Sequence, residues 1–451
     1  MKSKVKHEDT QRARVRSGGD ERGEPLVQVP GPVRQLIRTL EDAGYETWTV
    51  GGAVRDALQG IRARAEDWDL ATLATPRQVQ RLFERRTVPL GVEYGTTGVF
   101  GSDKVLYEVT TFRHDVITYG RKAKVAFAKT LDEDLARRDF TVNAMAWHPR
   151  RRELRDRHGG RDDLQDRILR AVGSPRKRFR EDYLRVLRGL RFAGALNMKI
   201  DPDTWDGMVE AVPGLTRLSM ERVREELEKV LAGPHPSRSL ALYQRSGALK
   251  EILPELRNGA SAEALATVDA LERGDWLLRM AALLLFGMDP GDATPDRVAG
   301  LLARLRFSNA DAERTGAVVR GGLAPPEGIA DDPVVRRRWV SRMVRPGHSS
   351  VEDILRIWKA VAEAAPTCTN PGAVDRVATG IRRDDAAGIP TKVGDLPIAG
   401  RDLVAQGWLP GPGIGAALRS LMEAVWEDPT LNDRTTLLEM VAAMNLERPP
   451  R

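Results

Sequence analysis

The sequence predicts an α+β head followed by an all-helical remainder, and three observations carry that reading. Strand and helix signals alternate as far as about Ala171. From Phe179 onward nearly every segment repeats its apolar residues with helical period, broken by Gly/Pro stretches such as AGPHPS and LPGPGIG, and no internal repeat is present. A chain of 451 residues is also too long for one ordinary core. Shifts in pattern separate a tail (1–28) and a mixed head (29–171) from a long helical remainder, expected as a neck (172–245), a body (246–390) and a C-terminal tail (391–451).

Each element has its own signal. The opening MKSKVKHEDTQRARVRSGGDERGEP is polar and basic with no apolar core, so it reads as a disordered tail rather than a secretory signal. VRQLIRTLEDAG, Val33 to Gly44, places apolar residues at helical spacing and closes on glycine. YETWTV alternates as a short strand running into the turn Gly51-Gly52, and EDWDLAT reads as a second strand. GVFGSDKVLYEVTTF has the form of a hairpin turning at Gly101 to Asp103, and TVNAMAW reads as a further strand. EDYLRVLRGLRF is predicted as one amphipathic helix. At about 100° per residue, Glu181, Arg185 and Arg188 share a charged face, while Tyr183, Leu187 and Leu190 lie opposite. SMERVREELEKVL is a second amphipathic helix, with Ser219 placed to cap it and a stripe of Met220, Val223, Leu227 and Val230 expected to brace the first.

Composition removes several function classes. No apolar run approaches the ~18 residues of a membrane span. Cys368 is the single cysteine, so an intrachain disulfide and a Cys-rich zinc cluster are both excluded, and a reducing cytoplasm fits. The six histidines are too scattered for another metal cluster. Lys and Arg number 71 against 64 Asp and Glu, a surplus compatible with a polyanionic partner.

The chemistry concentrates in VGGAVRDALQGIRARAEDWDLAT. On a strand, Asp67 and Asp69 at i and i+2 project from one side, where their charges repel. Divalent ions roughly 3.5–4 Å apart would relieve that repulsion and serve nucleotidyl transfer. The glycines upstream let backbone approach a triphosphate, and a helix starting near Ala53 aims its N-terminus and Arg55 at it. A dinucleotide fold is excluded because the third glycine of G-x-G-x-x-G is missing.

With GGAVRDALQG…EDWDLAT in place, the blocks GVEYGTTGV, YEVTTFR, EDLARRDFTVNAMAW, DRHGGRDDLQDRILRAVG, RFREDYLRVLRGLRFAG and LPGPGIGAALRSLMEAV follow in order. Together they resemble class II tRNA nucleotidyltransferases, the CCA-adding enzymes, whose polymerase β-like head is shared with bacterial poly(A) polymerases. The resemblance spans roughly Leu36 to Met444. It implies template-independent addition of C and A to the tRNA 3′ end from CTP and ATP, with Mg²⁺ held by Asp67 and Asp69. Gly52 and Arg55 would meet the triphosphate. Arg138, or its neighbour Arg137, would lie at the nucleotide, unless one of them only pairs with the preceding DED. Glu108 is either a third carboxylate or a paired strand residue.

The resemblance further assigns base reading to Asp182 and Arg185, with Arg188 and Arg191 supporting the site or reaching phosphates. Cytosine and adenine each offer an amino donor beside a ring-nitrogen acceptor, and uracil and guanine offer the reverse. An aspartate that accepts and an arginine that donates therefore match C and A and oppose U and G. LPGPGIG would begin a helix lying along tRNA.

Some relatives carry LLHDIGK, with metal-binding His and Asp, where this chain has Leu285 and Phe286 in AALLLFGMDPG. Neither side chain can ligate a metal, so phosphohydrolase activity is not expected and the body is a degenerate version of that region. The segment between Arg113 and Thr130 resembles the loop that switches such enzymes from C to A, but it is short. Full CCA addition, CC-only, A-only and poly(A) addition therefore stay open, as does a non-catalytic RNA-binding protein with a decayed head.

Overall fold

The computed structural model describes residues 27–115, 125–344 and 350–446. The basic N-terminal segment lies outside them, as does the middle of the expected switch loop. The chain forms two compact units, one running to Leu218 with Ser246–Glu251 added, the other comprising Ser219–Arg245 and everything from Ile252. The neck expected over 172–245 is thus divided between them.

The first unit is built on seven strands, β1 (Thr47–Val50), β2 (Asp69–Thr72), β3 (Thr87–Pro89), β4 (Thr96–Phe100), β5 (Leu106–Thr111), β8 (Met145–His148) and β9 (Glu153–Asp156). A separate hairpin, β6 (Arg113–Asp115) with β7 (Val125–Phe127), follows β5. The large sheet has the order β3-β4-β5-β2-β1-β8-β9 and is antiparallel except where β2 runs parallel to β5. Helices α1 (Gly31–Asp42) and α3 (Pro76–Phe83) pack together and against its strands. Trp48, Val50, Ala71 and Ala146 instead form an apolar cluster with Phe112, Ala128, Leu131 and Leu135. The last two belong to α4 (Leu131–Ala136). Between β1 and β2, α2 (Gly52–Leu58) packs beside β1 and β8.

Three expectations about local structure need correction. Residues Ala65–Asp67 close a 3₁₀ turn, so β2 begins only at Asp69 and Asp67 is not a strand residue. The Asp67 carboxylate accepts from the Arg64 N–H at 3.3 Å, a local bond that competes with ladder pairing. Thr141–Asn143 is likewise a 3₁₀ turn, held by the Asn143 amide donating to Asp139, and the strand there starts at Met145.

The predicted single helix over EDYLRVLRGLRF is two helices. After α5 (Gly160–Gln165), α6 (Pro175–Glu181) stops at Asp182, which is extended at φ −153°, ψ 107°, and α7 (Leu184–Leu196) restarts two residues on. The cause is an alternative use of the aspartate, whose Oδ1 accepts from the Leu184 N–H at 3.1 Å and thereby caps the new helix. Burial of Val186, Leu187, Leu190 and Ala193 fixes α7 in place. Gly189 lets it approach Phe140 and Met208 of α8 (Pro202–Ala211) so closely that a Cβ would sit 2.6 and 2.2 Å from them.

The second unit is helical, from α9 (Met220–Leu231) and α10 (Pro236–Arg245) through α12 (Ala262–Ala270) and α13 (Trp276–Gly287). The short α11 (Ala248–Ile252), between α10 and α12 in sequence, belongs mostly to the first unit. The second unit continues through α14 (Pro295–Arg304), α15 (Asn309–Gly321), α16 (Pro333–Met343), α17 (Ser350–Ala364), α18 (Pro371–Ala386), α19 (Gly400–Ala405), α20 (Pro412–Glu427) and α21 (Arg434–Leu446). The apolar stripe of α9 packs on α10 and α13, and Ser219 stands at its start without a side-chain capping bond. Leu285 and Phe286 lie half-buried near the end of α13, whose preceding turn is fully buried. Among the described residues no helix is long and apolar enough to cross a membrane.

Candidate active site

The site forms where β1 ends. Gly51 takes φ 79°, ψ −143°, a conformation that side chains disfavour. A Cβ there would lie 3.4 Å from Arg138 Nη1 and 3.6 Å from Asp69 Oδ2, so a cation and an anion flank this turn. Gly52 starts α2, and the Arg55 guanidinium folds back to within 3.5 Å of where its Cβ would be. Because α2 has only seven residues, Arg55 contributes more positive charge here than the helix end does.

Strand register sets the acids. Asp69 opposes Val50, and the parallel match of Leu70 with Val109 puts Glu108 of β5 beside Asp69 on the same face. Burial pushes the Asp69 carboxyl up to about 6, Glu108 and Asp67 push the same way, and Arg138 opposes them. Asp67, exposed at the end of its turn, adds its carboxylate across the buried Trp68. Glu108 is the residue that sequence left open. Its place beside Asp69 depends on the pairing of two strands that a helix and two further strands separate along the chain, and local pattern carries no such signal.

The arginines are held rigidly. Arg55 is 7% exposed and donates to Asn143 Oδ1 at 2.7 Å and to Asp56 at 2.8 and 2.9 Å. Arg138 donates to the Asn143 carbonyl and to Asp134, each at 3.3 Å, while Arg137 also bonds Asp134. The pairing with DED thus exists, yet Arg138 rather than Arg137 faces Gly51 and Asp69. Burial alone would raise the Asp134 carboxyl, but Arg138 and Arg137 together hold it below its usual range. Asn143, which sequence reading passed over as one amide in a strand-like run, joins Arg55, Arg138 and Asp139.

From the helical side, Arg188 meets Asp139 at 2.8 Å, and Arg185 is nearly buried with a 2.8 Å bond to Glu181. Asp182 precedes Arg185 by three residues across the helix break, and its carbonyl accepts the Arg185 N–H. The guanidinium carbons of Arg55, Arg188 and Arg191 lie 5.6, 5.2 and 4.2 Å from the Phe192 ring centre, which brings cations from two elements to one aromatic side chain. Arg55, Arg138 and Arg188 are thereby linked through Asn143 and Asp139, Gly52 lies beside Arg55, and Asp69 and Arg138 flank the Gly51 turn, with Asp67 two residues from Asp69.

Among the described residues no three His, Cys, Asp or Glu side chains enclose a metal by themselves. The donors present are carboxylate oxygens on one edge, which suits a hard divalent cation that keeps waters and takes its remaining ligands from phosphate.

Residues 47–170 match the family described as "Poly A polymerase head domain", and residues 197–259 match "Probable RNA and SrmB- binding site of polymerase A". A CCA-adding enzyme of Streptococcus gordonii is 42% identical over 251 residues, covering 54% of this chain and 61% of that one. One from Limosilactobacillus reuteri is 32% identical over 433 residues, covering 94% of this chain and 99% of its own. The crystal structure of the Bacillus stearothermophilus CCA-adding enzyme in complex with CTP superposes with a TM-score of 0.71 at 30% identity, over 93% of this chain and 98% of that one. CCA-adding enzymes are nucleotidyltransferases that use divalent metal, and with near-complete coverage of such relatives, this chain belongs to the CCA-adding enzyme family.

Proposed function

We propose that the protein adds C and A, as CCA, to the 3′ end of tRNA from CTP and ATP, with Mg²⁺ and without a nucleic-acid template, in the cytoplasm. The observation that carries this reading is the meeting of Asp69, Glu108 and Arg138 at the Gly51 turn. Likeness to an enzyme solved with CTP supports the substrate class.

Asp67 and Asp69 would hold Mg²⁺, with Glu108 adjoining. When bound, that ion supplies Lewis-acid stabilisation of the in-line displacement of pyrophosphate by the tRNA 3′ hydroxyl. Arg55 and Arg138 stand where the triphosphate charge collects, already oriented by Asn143, Asp56 and Asp134, so little reorganisation is needed on binding. Asp182 accepts from the exocyclic amine of cytosine or adenine and Arg185 donates to the adjacent ring nitrogen. Uracil or guanine would place acceptor against acceptor and donor against donor. Arg188 and Arg191 keep the wall of the site positive.

The test uses purified protein and labelled tRNA ending at the discriminator base, at C, or at CC, with each nucleotide supplied separately. Two cytidines from CTP on the discriminator end, and one adenosine from ATP on the CC end with nothing beyond, are expected. A stop after CC, addition of A alone, or long A tails would replace full CCA addition by the corresponding subtype. Binding without extension would leave an RNA-binding protein.

A further inference from the structure

We infer that Arg178, on α6, is a positioning residue for base selection, an inference that rests on the proposed reading role of Arg185. Arg178 is mostly buried, with 13% of its side chain exposed, and no part of the mechanism above uses it. Its guanidinium spans two structural elements. Nη2 donates to the Ala136 carbonyl at 2.6 Å and Nη1 to the Arg137 carbonyl at 3.3 Å, both at the C-terminal end of α4. Nε donates to the Val172 carbonyl at 3.2 Å, and Nη1 also reaches Glu181 Oε2 at 2.9 Å. Oriented carbonyls at a helix end carry negative partial charge, so a fixed planar cation is well matched to them.

Arg185 uses the same anchors. Its Nη1 donates to Glu181 Oε2 at 2.8 Å and to the Arg178 carbonyl at 3.0 Å, and its Nη2 donates to the Arg137 carbonyl at 3.2 Å. One carboxylate oxygen and one carbonyl oxygen are therefore shared by both guanidinium groups. Arg178 fixes where those two oxygens stand, and they fix the plane of Arg185. The next residue after the shared carbonyl is Arg138, whose Nη1 faces Gly51. The clamp thus sets the base-reading cation and the triphosphate-side cation in one frame. Selectivity between bases of similar shape depends on donors standing within a fraction of an ångström of their acceptors, so a loosened Arg185 would tolerate uracil or guanine.

The test measures kcat/KM for CTP and UTP on a tRNA primer lacking CCA, using wild type, Arg178→Gln, Glu181→Gln and Arg185→Ala, with thermal unfolding as a check on folding. Arg178→Gln is expected to lower the CTP-to-UTP ratio by ~10-fold or more. Glu181→Gln, which disturbs the shared oxygen from the other side, should shift the same ratio in the same direction and serves if the first variant does not fold. An Arg178→Gln protein that slows both nucleotides equally, with the ratio intact while Arg185→Ala collapses it, overturns the positioning role alone. A ratio unmoved by Arg185→Ala overturns the base-reading assignment and the inference with it.

Discussion

Replacing Asp69 by asparagine should destroy catalysis and, in the absence of divalent ions, make the protein more stable. The carboxyl sits at about 6 instead of the ordinary 3.8, chiefly through burial and then through Glu108. At ~1.4 kcal/mol per pH unit, that difference is worth about 3 kcal/mol. Below pH 4 the carboxyl is protonated in both folded and unfolded chains, and nothing is lost. Between 4 and 6 the unfolded chain ionises while the folded one keeps its proton, so stability falls. Above 6 the whole cost is present. The asparagine side chain never titrates, so in EDTA at pH 7.5 the variant should exceed wild type by about 3 kcal/mol, and by almost nothing near pH 4. Denaturant unfolding at several pH values measures this, with Mg²⁺ expected to narrow the gap by stabilising wild type alone. A variant less stable than wild type at pH 7.5, or a difference independent of pH, would refute the claim that acids are crowded here at the expense of stability.

Gly51→Ala forces a side chain into φ 79°, ψ −143°, and should cost ~1–3 kcal/mol on thermal or denaturant unfolding while raising KM for CTP, since the new methyl meets Arg138 and Asp69. Asp139→Ala removes the buried partner of Arg188, whose own side chain is a third exposed, and should cost ~1–3 kcal/mol by the same measurement. Burial would raise the Asp139 carboxyl, but Arg188 and further hydrogen bonds hold it below its usual range. Its contribution to stability is therefore present above the ordinary carboxylate range and lost as pH falls through the depressed value, which acid titration of unfolding should show. In the second unit, Asp384→Ala removes the carboxylate that binds Arg336 and Arg337, and should lower the melting temperature while leaving the CTP-to-UTP ratio unchanged.

Much of this architecture was legible because it is written in local pattern. The β4–β5 hairpin, the first helix with its closing Gly44 and the amphipathic stripe of α9 each follow from periodicity and turn chemistry. Residue type also singled out Asp67 and Asp69, although the strand that was to bring them together begins only at the second. What stayed hidden depends on competition between local and distant bonds. Asp182 fits helical spacing as well as its neighbours do, and only its hydrogen bond to Leu184 reveals that it ends one helix and starts another. Glu108 needed the β2–β5 register, and Asn143 needed three partners that local spacing does not rank above the alternatives.

The most direct measurement is a crystal structure of the protein with CTP and Mg²⁺. Cation density is expected against the carboxylates of Asp67 and Asp69, with the triphosphate beside Arg55 and Arg138 and the cytosine edge on Asp182 and Arg185. Nucleotide bound away from the Gly51 turn, or a turn occupied by CTP with no cation at those acids, would contradict this arrangement.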